Sequence, residues 1–376
     1  MNSRYKELDS LRGIAAMSVF LFHIAMILPD SWKGDILWDI LFFSPLHIFF
    51  TGEQPVILFF VLSGFVLSLV YFSGKKISYP SFITKRIFRL YLPYAVSIVV
   101  AITLCLLFSK QGNDNLGNLF NIVWMDPMNI SSVLDHFLFI GNYNVYSFNI
   151  VIWTLIHEMR ISFILPLLVV FAIRFGWKIN LTIGIGLATI GAAFHLLYQD
   201  SYQPFYKSLI YILMFIVGIL LSKNRNYLIS MFKSFTKGRK IVIALFGTIL
   251  YIYADLLINP LLIDWTATLG VSILLIVSLS SQVASKILLL KPLQFFGKVS
   301  FSLYLYHFPI LLCLIYIFYE KLPLIIIVCL SVILTIIVSS IAWLTIEKPS
   351  IRLANHLSSK LNKQFPVVIN REKEIS

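Results

Sequence analysis

Apolar runs long enough to cross a bilayer recur along the whole chain, at about 13–29, 54–72, 91–108, 150–173, 181–198, 208–222, 241–258, 266–283, 299–318 and 323–345. Inside hydrocarbon each segment must satisfy its own backbone hydrogen bonds, so these continuous runs are expected to be helices. The expectation is an all-α membrane protein with about ten transmembrane helices. Composition agrees: 59% of the 376 residues are hydrophobic and 12% are charged, which an ordinary soluble domain does not combine.

The net charge of +13 would suggest nucleic acid in a soluble protein, so the placement of the basic residues decides its meaning. If the N-terminus is cytoplasmic, Lys33, Lys110, Lys207 and Lys321 fall outside and Arg160 falls within a span. Every other Lys and Arg falls inside, including Arg4, Lys75, Lys76, Arg371 and Lys373. That bias predicts both termini in the cytoplasm. It removes the nucleic-acid reading and turns the charge toward the anionic inner leaflet or an anionic cytoplasmic substrate. Cys105, Cys313 and Cys329 lie in apolar runs without metal spacing and are read as packing residues; no metal is expected. Arg4, Lys6 and Arg12 precede the first run as in a signal peptide, but no small-x-small cleavage site follows, so a retained first helix is expected.

The outside segments 30–53 and 109–149 are long, the second ending in "NYNVYSFN", and loops of that length are functional or mobile. Leu353, Leu357 and Leu361 recur every fourth residue in the tail, which predicts a basic amphipathic helix on the inner surface. The expected organisation is a membrane domain at 1–349 and a cytoplasmic basic tail at 350–376.

Ionisable groups inside spans are costly and so become functional candidates. In "DSLRGIAAMSVFLFHI" (9–24), Arg12 and His23 are eleven positions apart. That is almost three turns, so the two share a face, separated by roughly 16 Å, about half a bilayer core. His307 in the ninth run and His157, Glu158 and Arg160 in the fourth would lie at a similar depth. Trp153, His157 and Arg160 share one helix face, whereas Glu158 and Arg160 point to nearly opposite sides and each needs a partner from elsewhere. Asp255 is one candidate partner for Arg160. Glu158 is read as orienting His23 or His307, with a structural ion pair as its rival. His195 and Ser63 are read as packing groups, and Gly184, Gly186 and Gly191 as close-packing points.

A neutral histidine in a partly dry site suits removal of a proton from a hydroxyl, or it can itself carry an acyl group; residue types do not separate these. A basic inner rim suits an anionic donor such as a coenzyme A thioester, whose phosphates pair with Arg and Lys. Its thin pantetheine arm would cross the half-bilayer gap between Arg12 and His23.

Five motifs carry a resemblance. They are "LDSLRGIAAMSVFLFH" with its Arg-x10-His spacing, "FFVLSGFVL" at 59–67 followed by "FITKRIFRLYLPY" at 82–94, "WTLIHE" at 153–158, "GKVSFSLYLYHFP" at 297–309, and "EKP" at 347–349. In this order the chain resembles the acyltransferase 3 family, integral membrane O-acyltransferases of bacterial envelope sugars and related molecules. Thr154 stands where the family's motif has Ser, and Ile161-Ser162 where an aromatic pair is common. The resemblance implies His23 as the catalytic histidine, and Glu158 and His307 as further catalytic-site residues. It implies Arg12, Arg86 and Arg89 as acyl-CoA contacts. Trp153, His157 and Arg160 are expected to shape the acceptor side. Acetyl-CoA or another acyl-CoA would be the co-substrate with no bound cofactor. The acceptor would be a surface glycan or lipid-linked sugar, and the location the bacterial cytoplasmic (inner) membrane. The esterase-like domain fused to some relatives is expected to be absent. A transporter or flippase of an envelope glycan is the main rival, since charged residues in spans also line substrate paths. A sensor in which the polar groups only lock helices together is the third reading.

Overall fold

The structure, a computed structural model, describes residues 5–74, 77–198 and 203–364. Arg4, Lys75, Lys76, Arg371 and Lys373 of the charge argument, and the tail past 364, lie outside them. Among the described residues there is no strand. α1 (Lys6–Ile27) is followed by the short α2 (Ile36–Phe43), then α3 (Glu53–Phe72) and the 30-residue α4 (Tyr79–Phe108). Two short helices, α5 (Asn118–Ile122) and α6 (Ile130–Phe137), punctuate the segment leading to α7 (Trp153–Arg174). Next come α8 (Trp177–Tyr198), α9 (Phe205–Lys223), α10 (Arg225–Ser234), α11 (Lys237–Ile252) and α12 (Pro260–Ser280). α13 (Gln282–Leu288), α14 (Lys291–Phe318), α15 (Leu324–Ala342) and α16 (Lys348–Gln364) complete the described chain.

Nine helices among the described residues are long and apolar enough to cross a membrane. The expected run at 241–258 differs. α11 has 16 residues, roughly 24 Å of helix, and yields at Ala254–Leu256 to a 3-10 turn. Asp255 in that turn is held by His47, at 2.7 Å, which draws the chain out of helical register.

Lipid tails are as apolar as leucine, so packing density and hydrogen bonds hold such helices together more than apolar burial does. A close approach of this kind lies between α1 and α14. A Cβ on Gly13 would sit 2.5 Å from the Gly297 nitrogen, and one on Gly297 would sit 2.5 Å from the Asp9 carbonyl. Both glycines are needed for that contact, and it aligns the polar faces of the two helices. Gly64 of α3 and Gly218 of α9 make a similar crossing against Phe215 and Val61. Gly184 and Gly191 pack on α9 as expected, but Gly186 faces open space and is no packing point.

The expected tail helix is present, and one of its faces packs on protein. α16 continues from α15 through a π-turn at Trp343–Glu347 and packs along α4, with Ser350 and Ala354 buried and Leu353 exposed. Ser350 meets the Phe88 carbonyl, Ser358 meets Ser81 at 2.6 Å, and Asn362 accepts from the Ser78 backbone at 2.8 Å. The rising tail numbers meet falling α4 numbers, so the two helices run antiparallel. The 109–149 segment is equally well anchored: Leu116, Phe120, Trp124, Phe139 and Phe148 join the core that α1, α4 and α14 share.

Candidate active site

Aligned by the glycine contact, α1 and α14 bring His23 and His307 together, with Nδ1 of His23 3.0 Å from Nε2 of His307. The other nitrogen of His307, Nδ1, is 3.0 Å from the Leu303 carbonyl, which can only accept. A neutral His307 therefore carries its proton on Nδ1 and offers the Nε2 lone pair. His23 must donate its Nδ1 proton to that lone pair, which leaves His23 Nε2 unprotonated and able to take a proton. His307 is fully buried and His23 half-buried, so the open nitrogen belongs to the more accessible ring.

Pro309 contributes to this arrangement. It has no backbone N–H, so the Leu305 carbonyl loses its ordinary helical partner. The side chain of Asn149 fills the gap, its Nδ2 donating to Leu305 at 2.9 Å. The end of the "NYNVYSFN" segment thus ties the 109–149 connection to α14 two residues before His307.

On the side of the helix pair nearer Lys6 and Lys291 lies a cavity of about 360 Å³. Its cations are Arg12, Arg86, Arg89, Lys298, Lys348 and Arg352, and its carboxylates are Asp9, Glu158 and Glu347. Each carboxylate is engaged. Glu158 accepts from Arg86 at 2.7 Å and from Ser63 at 2.8 Å, Glu347 accepts from Ser302 at 2.7 Å, and Asp9 lies 3.5 Å from Arg12. Arg86 also donates to Ser162 at 3.2 Å and is 5% exposed, making Arg86–Glu158 a buried pair. The cavity thus combines more cations than carboxylates and suits an anion.

The histidines do not line this cavity. Tyr304 connects the two features: it lines the cavity with Phe59, and its ring centroid is 6.0 Å from that of His307. The Tyr304 hydroxyl is 2.9 Å from Thr154 Oγ1 and 3.0 Å from the Val151 carbonyl. Thr154 therefore supplies the hydroxyl that a Ser would supply at that place.

Several expected pairings are replaced. Glu158 orients neither histidine; the short side chain at Ser63 lets it reach Arg86 instead, and Ser63 is a donor to it as well as a packing residue. Asp255 does not meet Arg160, because His47 holds it. Arg160 is satisfied by backbone carbonyls, donating to Ile140 at 3.0 Å, Gln203 at 2.8 Å, Pro204 at 3.2 Å and Gly141 at 2.5 Å, with its guanidinium 4.1 Å from the Phe205 ring. His157 meets Ser208 at 2.9 Å and Gln203 at 3.1 Å. Trp153 packs against Tyr211 and His157. Arg160 and His157 tie the connections at 140–141 and 203–204 to α7 and α9, Trp153 packs beside them, and none of the three lines the cavity. Sequence reasoning missed Tyr304, Asn149 and Lys298 as site residues. Tyr304 carried a signal, standing one turn before His307 on the same face.

A family model described as an acyltransferase domain matches residues 5–344 of the chain. No curated protein and no solved structure matches it.

Proposed function

Because the chain belongs to the acyltransferase 3 family, we propose that it transfers an acyl group, in the simplest case acetyl, from cytoplasmic acyl-CoA to a hydroxyl of a cell-envelope or exported polysaccharide or its lipid-linked precursor. The membrane is read as a bacterial cytoplasmic membrane with both termini in the cytoplasm, which puts the cavity mouth in the donor's compartment. The observation that supports this best is the cationic cavity whose Tyr304 end abuts the His23–His307 pair.

In this reading the donor's phosphates pair with the cavity cations, and its pantetheine arm extends past Tyr304 toward His23. The acceptor hydroxyl arrives from the outer side and gives its proton to His23 Nε2. As that proton leaves, the oxygen attacks the thioester carbonyl. The tetrahedral intermediate collapses with cleavage of the C–S bond, and the proton on His23 passes to the departing thiolate. Ester and free coenzyme A result. His307 Nε2, accepting from His23 Nδ1–H, supports the imidazolium formed in between. Arg86 and Glu158 are positioning and donor-side groups rather than proton carriers.

The test uses purified protein in lipid nanodiscs with radiolabelled acetyl-CoA and a glycan extract from the host envelope, wild type beside His23→Ala. The expected result is label in glycan for wild type and none for a folded variant. Label that stays on wild-type protein without acceptor, and is absent from the variant, would instead make His23 an acyl carrier. In sealed proteoliposomes, uptake of glycan without release of coenzyme A would hand the protein to the transporter reading.

A further inference from the structure

The six cavity cations differ in exposure, and the differences form a gradient. Arg86 is buried, while Arg12, Arg89 and Lys348 are half-buried and Lys298 and Arg352 are exposed. The last two therefore mark the mouth. Among the described residues Lys298 and Arg352 take part in no hydrogen bond or ion pair, while Arg89 is within reach of the Glu347 and Glu158 charges and Lys348 stands over the Trp343 ring at 5.3 Å. Uncompensated cations at a cavity mouth attract an anion more strongly than paired ones, because no existing contact has to be broken.

Two of the cavity cations, Lys348 and Arg352, come from α16, a part of the chain that sequence reasoning set apart as a surface tail. The π-turn at Trp343–Glu347 carries Trp343 and Glu347 to the cavity, and Lys348, Ile351 and Arg352 follow at one-turn spacing along the same wall. The contacts of Ser350, Ser358 and Asn362 with α4 hold that wall in place. Arg352 lies one turn beyond Lys348, on the side away from the histidines. A donor that keeps its thioester by His23 presents its far end there. In coenzyme A the far end is the adenosine 3′-phosphate, a dianionic phosphomonoester, whereas the pyrophosphate lies closer to the pantetheine.

We propose that α16 is a wall of the donor site, and that Arg352, with Lys298 across the mouth, is the subsite for the 3′-phosphate of coenzyme A. This rests on the acyl-CoA reading above. Lys348 and Arg89 then face the pyrophosphate.

The test measures equilibrium binding of coenzyme A and of dephospho-coenzyme A, which lacks only the 3′-phosphate, in nanodiscs of phosphatidylcholine. Unacylated ligands avoid turnover. Wild type is expected to prefer coenzyme A by about tenfold, the worth of one charge-assisted contact. Arg352→Ala is expected to lose that preference while binding dephospho-coenzyme A as wild type does, and Arg352→Lys to recover part of it. If Arg352→Ala keeps the preference, or weakens both ligands alike, the subsite assignment is wrong although the donor reading stands. If wild type binds neither ligand, the donor reading fails and the subsite with it. Repeating the measurement in phosphatidylglycerol separates a lipid phosphate as occupant: in that case wild type loses its preference there as the lipid competes, which would overturn the coenzyme A assignment.

Discussion

At the scale of single residues, His23 and His307 divide a task that a lone histidine does poorly. The Leu303 carbonyl sets the proton on His307, and His307 sets the proton on His23. His307→Ala should remove the second lock and leave His23 in place. We expect kcat for acyl transfer to fall about 100-fold with KM for the donor little changed, whereas His23→Ala should abolish transfer. Equal losses in both variants would mean that the two rings act as one catalytic unit. Glu158 gives a prediction of opposite character. Glu158→Gln removes a carboxylate from a cationic cavity and leaves Arg86 without its charge partner. The thermal midpoint should drop, because breaking a buried pair costs about 3 kcal/mol, while affinity for coenzyme A holds or rises. A collapse of kcat at normal stability would put Glu158 back among the proton carriers. Arg160 gives a third check, since its four carbonyl contacts make it a structural cation: Arg160→Ala should lower the yield of folded protein more than the specific activity of what remains.

At the scale of elements, the α1–α14 crossing controls the site. A methyl group at position 297 would meet the Asp9 carbonyl and force the helices apart by the distance that the His23–His307 hydrogen bond cannot stretch. Gly297→Ala should therefore cost most of the transfer activity even where membrane abundance is kept. Gly186→Ala, in open space, should be silent in both measurements. The His307 segment has its own support in Asn149, which answers the carbonyl freed by Pro309. Asn149→Ala leaves that carbonyl buried without a donor, a loss of about 1–2 kcal/mol. It should show as a lower thermal midpoint and a slower kcat together.

At the scale of the whole molecule, the two cores, one around α1, α4 and α14 and the other around α3, α7, α9 and α12, meet along the cavity. Arg86 of the first and Glu158 beside the second join across it. The proposed topology, with the cationic mouth toward the cytoplasm, has a direct test. A reporter active only in the cytoplasm should be active when fused behind Gln364 and inactive when inserted at Asn113 in the 109–149 segment. The opposite pattern would place the donor cavity on the wrong side for a cytoplasmic acyl-CoA.

The number and rough placement of the spans could be read from the sequence because hydrocarbon imposes a local rule: a segment of sufficient apolar length must be helical wherever it sits. His23 and His307 stood out as candidates for a related reason, since a titratable group in lipid is visible in one dimension, whereas Arg86 and Arg89 were named only by resemblance to the family's basic inner loop. Pairing is not local. Which partner meets Glu158, Arg160 or Asp255 depends on which helices are neighbours and on how far a glycine lets them approach, and that is decided between segments distant in sequence, up to 208 residues for Asp255 and His47. The tail shows the same limit. Its leucine spacing suggested an amphipathic helix, but only the fold shows that Ser350 and Ala354 pack against α4 and that Lys348 and Arg352 line the cavity. Hydropathy along the chain determined the membrane helices; steric fit between distant helices decided what those helices hold between them.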